Sequence, residues 1–381
     1  PPARLGVVGG GQLGRMFLQA AQRMGFTTVV LSESEDSPAA QVAHEVVVGS
    51  SEDQTALSRL AACVDAITVE FENVFAPGLR WLERTRVVRP GWRTVWVSQN
   101  RLREKQFLSR LGLPLAPWLP VRNQAECWQA VEELGLPLIL KTAASGYDGK
   151  GQIRVEAGSD ALAAWSTLGH VACVAEQVIE FVAELSVVTA RSVDGQDVAY
   201  PVCWNSHRDH ILDLTLCPAP IGPIVALEAR DLALAVSRGL GTIGVLTVEF
   251  FLRADGGLLI NEIAPRPHNS GHLTIEASTC SQFEQQVRAL AGLPLGTEML
   301  VSPAAMVNLL GDLWSRGEPD WWSALAADPG VRLHLYGKGT ALPGRKMGHI
   351  TVLDRDPSQA AARARAARRA LTDRSFHPGS A

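Results

Sequence analysis

Val245-Leu246-Thr247-Val248-Glu249-Phe250-Phe251 and Leu258-Leu259-Ile260-Asn261-Glu262-Ile263 flank the short segment Ala254-Asp255-Gly256-Gly257. Two apolar runs joined through Asp-Gly read as a β-hairpin, since that dipeptide suits the tight turns that join antiparallel strands. Centring the turn on Asp255 and Gly256 pairs Leu252 with Leu259, Phe250 with Asn261 and Glu249 with Glu262. Two carboxylates directly opposite on one sheet face repel each other. A divalent cation removes that repulsion, and Glu249 and Glu262, with Asn261 beside them, form an oxygen-only donor set that suits Mg²⁺. The competing reading is a pair of glutamates on a solvated strand edge.

The rest of the chain bounds what such a site could serve. A length of 381 residues predicts two or three domains. With 46% apolar and 19% charged residues, the balance is that of a globular protein. A formal net charge of −4 argues against a general nucleic-acid binder. No apolar run approaches the roughly 20 residues a membrane helix needs, so no membrane partner is expected. A strand begins almost at once, with no signal peptide before it. Cys63, Cys127, Cys173, Cys203, Cys217 and Cys280 lie far apart and form no CxxC pair. They read as small core residues in a reducing cytosol, so a cytoplasmic location is expected.

Arg4 to Val8 reads as a strand, Gln12 to Met24 as a helix ended by Gly25, and Thr28 to Leu31 as the next strand. This is a βαβ unit, continued by strands at Val46 to Val48 and Ala66 to Glu70. Ser98 is placed as the cap of a helix running through Leu111. A helix at Ala125 to Leu134 follows, then a hairpin from Pro137 to Lys141 and Ile153 to Val155 around a glycine-rich tip. Further strands are expected at Cys173 to Val178 and Leu185 to Arg191, and a helix at Ala229 to Leu240. After the acidic hairpin come a helix near Gln282 to Ala291, strands at Val331 to Tyr336 and His349 to Leu353, and a helix from Gln359 to Leu371. The arginines of that last helix point at many angles and read as a solvated face.

Two segments suggest phosphate. Gly9-x-Gly11-x-x-Gly14 lies between a strand and a helix, as a dinucleotide-binding turn does, and Glu33 ends the next strand where it could take a ribose. The same turn suits any anion at a helix N-terminus. The second segment, Gly146 to Gln152, lies between two strands and lacks the GxxxxGK[ST] pattern. Its glycines let backbone amides approach phosphate oxygens, while Lys150 and Lys141 add positive charge. Taken in order, a cationic strand and glycine-rich loop, glutamates near 176 to 184 and two Mg²⁺-type acids on a hairpin follow the way an ATP-grasp enzyme assembles its nucleotide site. A dinucleotide enzyme leaves Glu249, Glu262 and the second loop unexplained.

Five motifs carry a closer resemblance. Gly9-Gly10-Gly11-Gln12-Leu13-Gly14-Arg15-Met16, Glu70-Phe71-Glu72-Asn73-Val74, Gly146-Tyr147-Asp148-Gly149-Lys150-Gly151-Gln152, Asn261-Glu262-Ile263-Ala264-Pro265-Arg266-Pro267-His268-Asn269-Ser270-Gly271-His272 and Arg345-Lys346-Met347-Gly348-His349-Ile350 resemble the N5-carboxyaminoimidazole ribonucleotide synthetase family. The resemblance spans residues 4 to about 355. It implies an α/β and α+β chain: an N-terminal Rossmann-like (pre-ATP-grasp) domain over 1–95, an ATP-grasp fold over 96–300 with nucleotide between its two subdomains, and a small C-terminal domain over 301–381. It also implies a homodimer that uses ATP and bicarbonate to carboxylate 5-aminoimidazole ribonucleotide, with Mg²⁺ as cofactor and ADP and phosphate as products.

By the same resemblance, Arg101, Lys141, Gly146, Tyr147, Asp148, Gly149, Lys150, Gly151, Gln152, Glu176, Gln177, Val178, Ile179, Glu184, His207, Asn261 and Glu262 line the ATP site. Glu249 and Glu262 hold the metal. Gly11, Gln12, Leu13, Glu72, Arg266, His268, Lys338, Arg345 and Lys346 face the ribonucleotide or bicarbonate. Tyr147, Asp148, Arg266 and His268 are the catalytic candidates. Asp148 could orient the amine and His268 could move a proton, while Arg266 could grip a planar anion bidentately. Trp204 stands before Asn205 where the family pattern has an acidic residue, and Cys217 precedes Pro218 where a smaller residue is usual. The rival readings are an ATP-grasp ligase with another acceptor, a dinucleotide-dependent oxidoreductase and a non-catalytic nucleotide sensor.

Overall fold

The computed structural model of the protein describes residues 4–144, 146 and 150–372. Three sheets organise them. The first contains β1 (Arg4–Val8), β2 (Thr27–Ser32), β3 (Glu45–Val48), β4 (Ala66–Val69) and β5 (Val87–Val88), all parallel in the order β3-β2-β1-β4-β5. Strand order reverses between β1 and β4, so a crevice opens beyond their carboxyl ends, where ligands of such sheets bind. The second is antiparallel, ordered β6-β9-β7-β8, from β6 (Trp118–Val121), β7 (Leu138–Thr142), β8 (Gln152–Val155) and β9 (Cys173–Gln177).

The third sheet runs β15-β14-β10-β12-β13-β16-β18-β17, with β11 beside β10. Its strands are β10 (Ala183–Arg191), β11 (Asp197–Ala199), β12 (Cys203–Arg208), β13 (Ile211–Cys217), β14 (Gly244–Leu252), β15 (Leu258–Ala264), β16 (Ala304–Leu310), β17 (Val331–Leu335) and β18 (Lys346–Leu353). The carboxyl-terminal strands thus continue the sheet that carries the acidic hairpin. One face buries Leu185, Val187, Leu246, Val248, Phe250, Ile260 and Ile263 against Ala229, Ala233 and Val236 of the helix Pro223–Leu240. Each large aliphatic or aromatic side chain removed from water there contributes roughly 1.5–3 kcal/mol. Period-two alternation therefore sends the intervening polar residues to the other face. Trp204 lies among the apolar side chains, away from its neighbour Asn205.

The hairpin differs from its expected register. Glu249 does face Glu262, but Phe250 faces Ile260 and Leu252 faces Leu258. Asn261 is the extra residue of a β-bulge, not the partner of Phe250, and Leu259 faces Phe251, not Leu252. The turn is a three-residue loop in which Arg253 N–H bonds Gly257 O (2.9 Å) and Gly256 adopts φ 87°. The bulge has a consequence for the site. Strict alternation would put Ile260 and Glu262 on one face, whereas the inserted residue lets Ile260 enter the core and Glu262 meet Glu249.

Other boundaries shift for local reasons. Ser98 ends the helix Trp92–Ser98, and Asn100 caps the next helix, Arg101–Arg110, by accepting from Leu102 N (3.1 Å) and Arg103 N (3.2 Å). The helix Pro223–Leu240 begins at its proline, well before Ala229. In the helix Pro357–Ala370 the arginines are not merely solvated. Arg363 binds Asp328 and Asp354, Arg368 binds Asp213, and Ala360, Ala361, Ala364 and Ala367 are buried. The helix Gln282–Ala291 joins the first sheet to the rest: Phe283, Val287 and Leu290 share a core with Leu5, Val7, Phe17 and Tyr336. Its carbonyls at Ala289 and Leu290 accept from Arg89 Nη1 at 2.7 and 3.0 Å.

Candidate active site

The polar face of the third sheet carries a row of side chains on five adjacent strands. Glu262 on β15 faces Glu249 on β14, which faces Ser186 on β10; Asn205 on β12 faces Thr215 on β13. Asn205 Nδ2 reaches Ser186 Oγ at 2.9 Å and completes the row. Two positions along β10, Glu184 binds His207 on β12, Oε2 to Nδ1 at 2.5 Å. Burial lowers the affinity of the His207 ring for its proton, but Glu184 and then Glu249 outweigh that and raise it above its ordinary value.

Each carboxylate of the facing pair has a basic neighbour. Glu249 Oε1 lies 2.9 Å from His268 Nε2, and Glu262 Oε2 lies 3.1 Å from Arg101 Nη1. Burial pushes the Glu249 carboxyl up. The hydrogen bond from His268, together with the charges of His207 and Lys346, more than offsets it and holds the group well below the usual carboxylate range. An ionised carboxylate opposite a second one, with only oxygen donors, fits Mg²⁺. Among the described residues no group of three or more His, Cys, Asp or Glu side chains could hold a metal. The pair suits a cation whose remaining ligands are phosphate oxygens and water.

Glu176 is held between two lysines. Lys141, at the end of β7, binds Glu176 Oε2 at 2.7 Å. Lys105, almost wholly buried, lies 3.2 Å from Glu176 Oε1 and donates to the carbonyl of the bulged Asn261 at 3.1 Å. Burial pushes the Glu176 carboxyl up, but Lys141 and Lys105, with Arg101, pull it down to about 2. Glu176 is therefore first a counter-ion, which sequence reading did not foresee. Lys105 was missed altogether, although Arg101, Glu104 and Lys105 recur at i, i+3 and i+4 on one helix face.

The glycine-rich tip is partly described. Gln152 faces Lys141 across the β7–β8 hairpin, Gly151 has φ 71°, and Lys150 is exposed at the tip, with Gly146 opposite. Tyr147, Asp148 and Gly149 lie outside the described residues. Gln177 ends β9, and Val178 and Ile179 follow it half-buried.

The amino-terminal turn is already filled. Glu70 accepts from the backbone N–H of Gly11, and from that of Leu13 at 3.2 Å. A Cβ on Gly11 would lie 2.1 Å from Glu70 Oε1, so only glycine fits. These amides, expected to face a phosphate, bind an internal carboxylate instead, and the Leu13 side chain enters the core. That removes the usual pyrophosphate position of a dinucleotide enzyme. A cleft of about 1060 Å³ opens beside the turn, lined among others by Gln12, Phe71, Trp96, Lys338 and Arg345. Lys346, the first residue of β18, accepts from Lys338 Nζ through its carbonyl at 2.7 Å. Glu72, expected to face the ribonucleotide or bicarbonate, binds Arg266, with Arg266 Nη2 at 3.2 Å from its Oε1.

Comparison with known proteins agrees along the chain. Residues 3–99 match the ribonucleotide synthetase preATP-grasp domain, 106–283 the ATP-grasp domain and 304–363 the phosphoribosylaminoimidazole carboxylase C-terminal domain. The chain is 41% identical over 353 residues to the N5-carboxyaminoimidazole ribonucleotide synthase of Bacillus subtilis, covering 93% of this chain and 92% of that one. It is 42% identical to the Brucella melitensis enzyme of the same name, over 92% of this chain and 96% of that one. A Staphylococcus aureus N5-carboxyaminoimidazole synthetase complexed with ADP superposes with a TM-score of 0.89 at 38% identity, covering 96% and 97% of the two chains. The Aspergillus clavatus synthase, in complex with ADP and 5-aminoimidazole ribonucleotide, gives 0.87 at 31% identity over 97% and 98%.

Proposed function

Since the chain belongs to the N5-carboxyaminoimidazole ribonucleotide synthase family of ATP-grasp ligases, we propose that the facing carboxylates Glu249 and Glu262 mark the point at which its ATP meets bicarbonate and 5-aminoimidazole ribonucleotide. The activity is that of an ATP-dependent carbon–nitrogen ligase of purine biosynthesis. The observation that carries the assignment of the site is the Glu249–Glu262 pair, each with a basic partner, on the polar sheet face.

Bicarbonate is a poor electrophile, and phosphorylation by ATP gives carboxyphosphate, from which the exocyclic amine takes its carboxyl group. Phosphoryl transfer asks a protein mainly for positioning and charge neutralisation. Glu249 and Glu262 would hold Mg²⁺, whose chemistry when bound is to offset charge on the phosphate oxygens. Arg101 orients Glu262. Lys141, tied to Glu176, and Lys150 at the loop tip flank the nucleotide between the second and third sheets. Arg266, braced by Glu72, presents its outer N–H groups to the small anion, with His268 beside it. Lys338, Arg345 and Lys346 bind the ribonucleotide phosphate in the cleft floored by Gly11 and Gln12. Tyr147 and Asp148, which lie outside the described residues, keep the catalytic roles that the family resemblance implies. The enzyme acts as a homodimer in the cytoplasm. No helix among the described residues is long and apolar enough to cross a membrane.

ADP release measured with bicarbonate, with and without 5-aminoimidazole ribonucleotide, tests the reading. Stimulation by the ribonucleotide is expected, and Glu262→Gln should lower turnover by roughly 100- to 1000-fold with the fold intact. Stimulation by biotin or an amino acid in its place would assign another acceptor.

A further inference from the structure

Behind His268 lies a buried chain of hydroxyl and amide groups that the reaction scheme does not use. His268 is the N-cap of the short 3-10 turn Asn269–Gly271, and its Nδ1 accepts from the backbone N–H of Ser270 at 3.3 Å. A backbone N–H can only donate, so Nδ1 offers its lone pair and carries no proton. The Ser270 hydroxyl, 2.9 Å from the same Nδ1, must then donate to it as well. Each hydroxyl has one proton, and this choice propagates. Ser270 Oγ accepts from Ser186 Oγ at 2.8 Å. Ser186 Oγ accepts from Asn205 Nδ2 at 2.9 Å, which turns Asn205 Oδ1 toward the Thr215 hydroxyl at 3.0 Å. Ser186, Thr215 and Ser270 are wholly buried and Asn205 nearly so, so water does not compete for these bonds. Gln282 grips the backbone of the same residue, accepting from His268 N at 2.8 Å and donating to His268 O at 2.7 Å.

We propose that the chain Thr215–Asn205–Ser186–Ser270 positions His268 and fixes its proton on Nε2, so that His268 serves the reaction as a hydrogen-bond donor and not as a base. The inference rests on the reading of the Glu249–Glu262 face as the reaction site. With Nδ1 committed, Nε2–H points at Glu249 Oε1, 2.9 Å away. Accepting a proton at Nε2 from the neutral ring would require the other tautomer. That form aims an Nδ1–H at the Ser270 N–H, donor against donor. His268 is thereby a fixed dipole whose positive end faces the anionic groups. The sheet row that supplies Ser186, Asn205 and Thr215 is the row that carries Glu249, so one set of strands sets both carboxylate and imidazole.

Nitrogen-15 NMR of the full chain labelled at histidine, recorded at alkaline pH, reads the tautomer directly, with His268→Gln identifying the signal. The expected spectrum has the proton on Nε2 and an unprotonated Nδ1; a proton on Nδ1 overturns the proposal. Because no substrate is needed, this result is separate from whether 5-aminoimidazole ribonucleotide is the acceptor. In turnover, the His268→Gln amide can place an N–H near the Nε2 position. It is expected to stay within roughly tenfold of the parent enzyme, while His268→Ala loses roughly 100-fold or more. Equal loss in both would mean that a donor is not enough. Ser186→Ala should mix the two tautomers and lower kcat with the ATP KM unchanged, and Ser186→Thr should restore both; a single Nε2–H tautomer and full kcat in Ser186→Ala would remove the chain from the argument.

Discussion

Arg266 and Glu72 hold each other across the junction of the first and third sheets, 194 residues apart in the chain, with two guanidinium nitrogens on two carboxylate oxygens. Burial would push the Glu72 carboxyl up, but the Arg266 charge and hydrogen bond outweigh it and keep the group ionised. Arg266 Nη1 also meets the Pro267 carbonyl at 3.3 Å. A guanidinium has five N–H groups in a fixed fork, so its outer edge can still meet a small anion while its inner edge stays braced.

That double duty predicts the outcome of Arg266→Lys. Lysine keeps the charge and loses the fork, so it cannot serve Glu72 and an anion in defined geometry at once. The kcat/KM for bicarbonate should fall by roughly 2–3 kcal/mol, or about 100-fold, with the KM for ATP little changed. Initial rates across bicarbonate concentrations measure this, and a parent-like bicarbonate dependence would refute the anion role.

Two buried glutamates near the hairpin give stability opposite pH dependences. Burial, with the nearby Glu262, raises the Glu104 carboxyl from 4.5 to about 8 against the pull of Lys105 and Arg101. Its folded value lies above the unfolded one, so its contribution is full below pH 4.5 and is lost as pH rises toward 8. Glu176, held at about 2, contributes above pH 4.5 and loses that contribution as pH falls toward 2. Glu104→Gln should therefore raise the Tm near pH 8 by roughly 1–3 °C and leave it nearly unchanged in mild acid. Calorimetry across pH would show an unchanged alkaline limb if Glu104 is not the group responsible.

The same residues show what sequence makes legible. The acidic hairpin, the Lys141–Gln152 hairpin and the helix Gln282–Ala291 follow from local alternation, turn residues and caps, which are short-range signals. The bulge at Asn261 needs only one inserted residue and leaves no mark in composition, so the register beyond Glu249 was misread. Strands β12 and β13 escaped because their site-facing positions are Asn205, His207 and Thr215, which read as loop chemistry until the sheet supplies partners. The pairing of Lys105 with Glu176, and of Glu70 with the Gly11 turn, joins segments far apart in sequence, where no periodicity operates.

The carboxyl-terminal cations predict an effect confined to the acceptor. Lys338 and Arg345 line the same cleft as Gln12, Phe71 and Trp96. Lys338 is half-buried and Arg345 is exposed, so screening weakens the latter. Lys338→Ala should raise the KM for 5-aminoimidazole ribonucleotide by roughly 10- to 100-fold, and Arg345→Ala by less, with the ATP KM little changed. If ATP weakens instead and the acceptor does not, the segment serves the nucleotide.

Glu70 predicts a response to simple anions. Its buried carboxyl is raised by desolvation and steadied by the N–H groups of Gly11, Leu13 and Gly14 and by Lys338. It thus satisfies the first turn of the helix Gln12–Arg23, where an anion is favoured by exposed amides and by the helix dipole. Glu70→Ala should leave those donors unsatisfied and cost about 1–2 kcal/mol of stability, as losing a helix cap does. The vacated nest should then accept sulfate or inorganic phosphate, which the parent chain excludes with its own carboxylate. Thermal unfolding with and without sulfate compares the two proteins. The variant should gain more from sulfate than the parent, by mass action on the folded state. An equal gain in both would mean that the turn does not bind anions even when emptied, and that Glu70 shapes the cleft by packing alone.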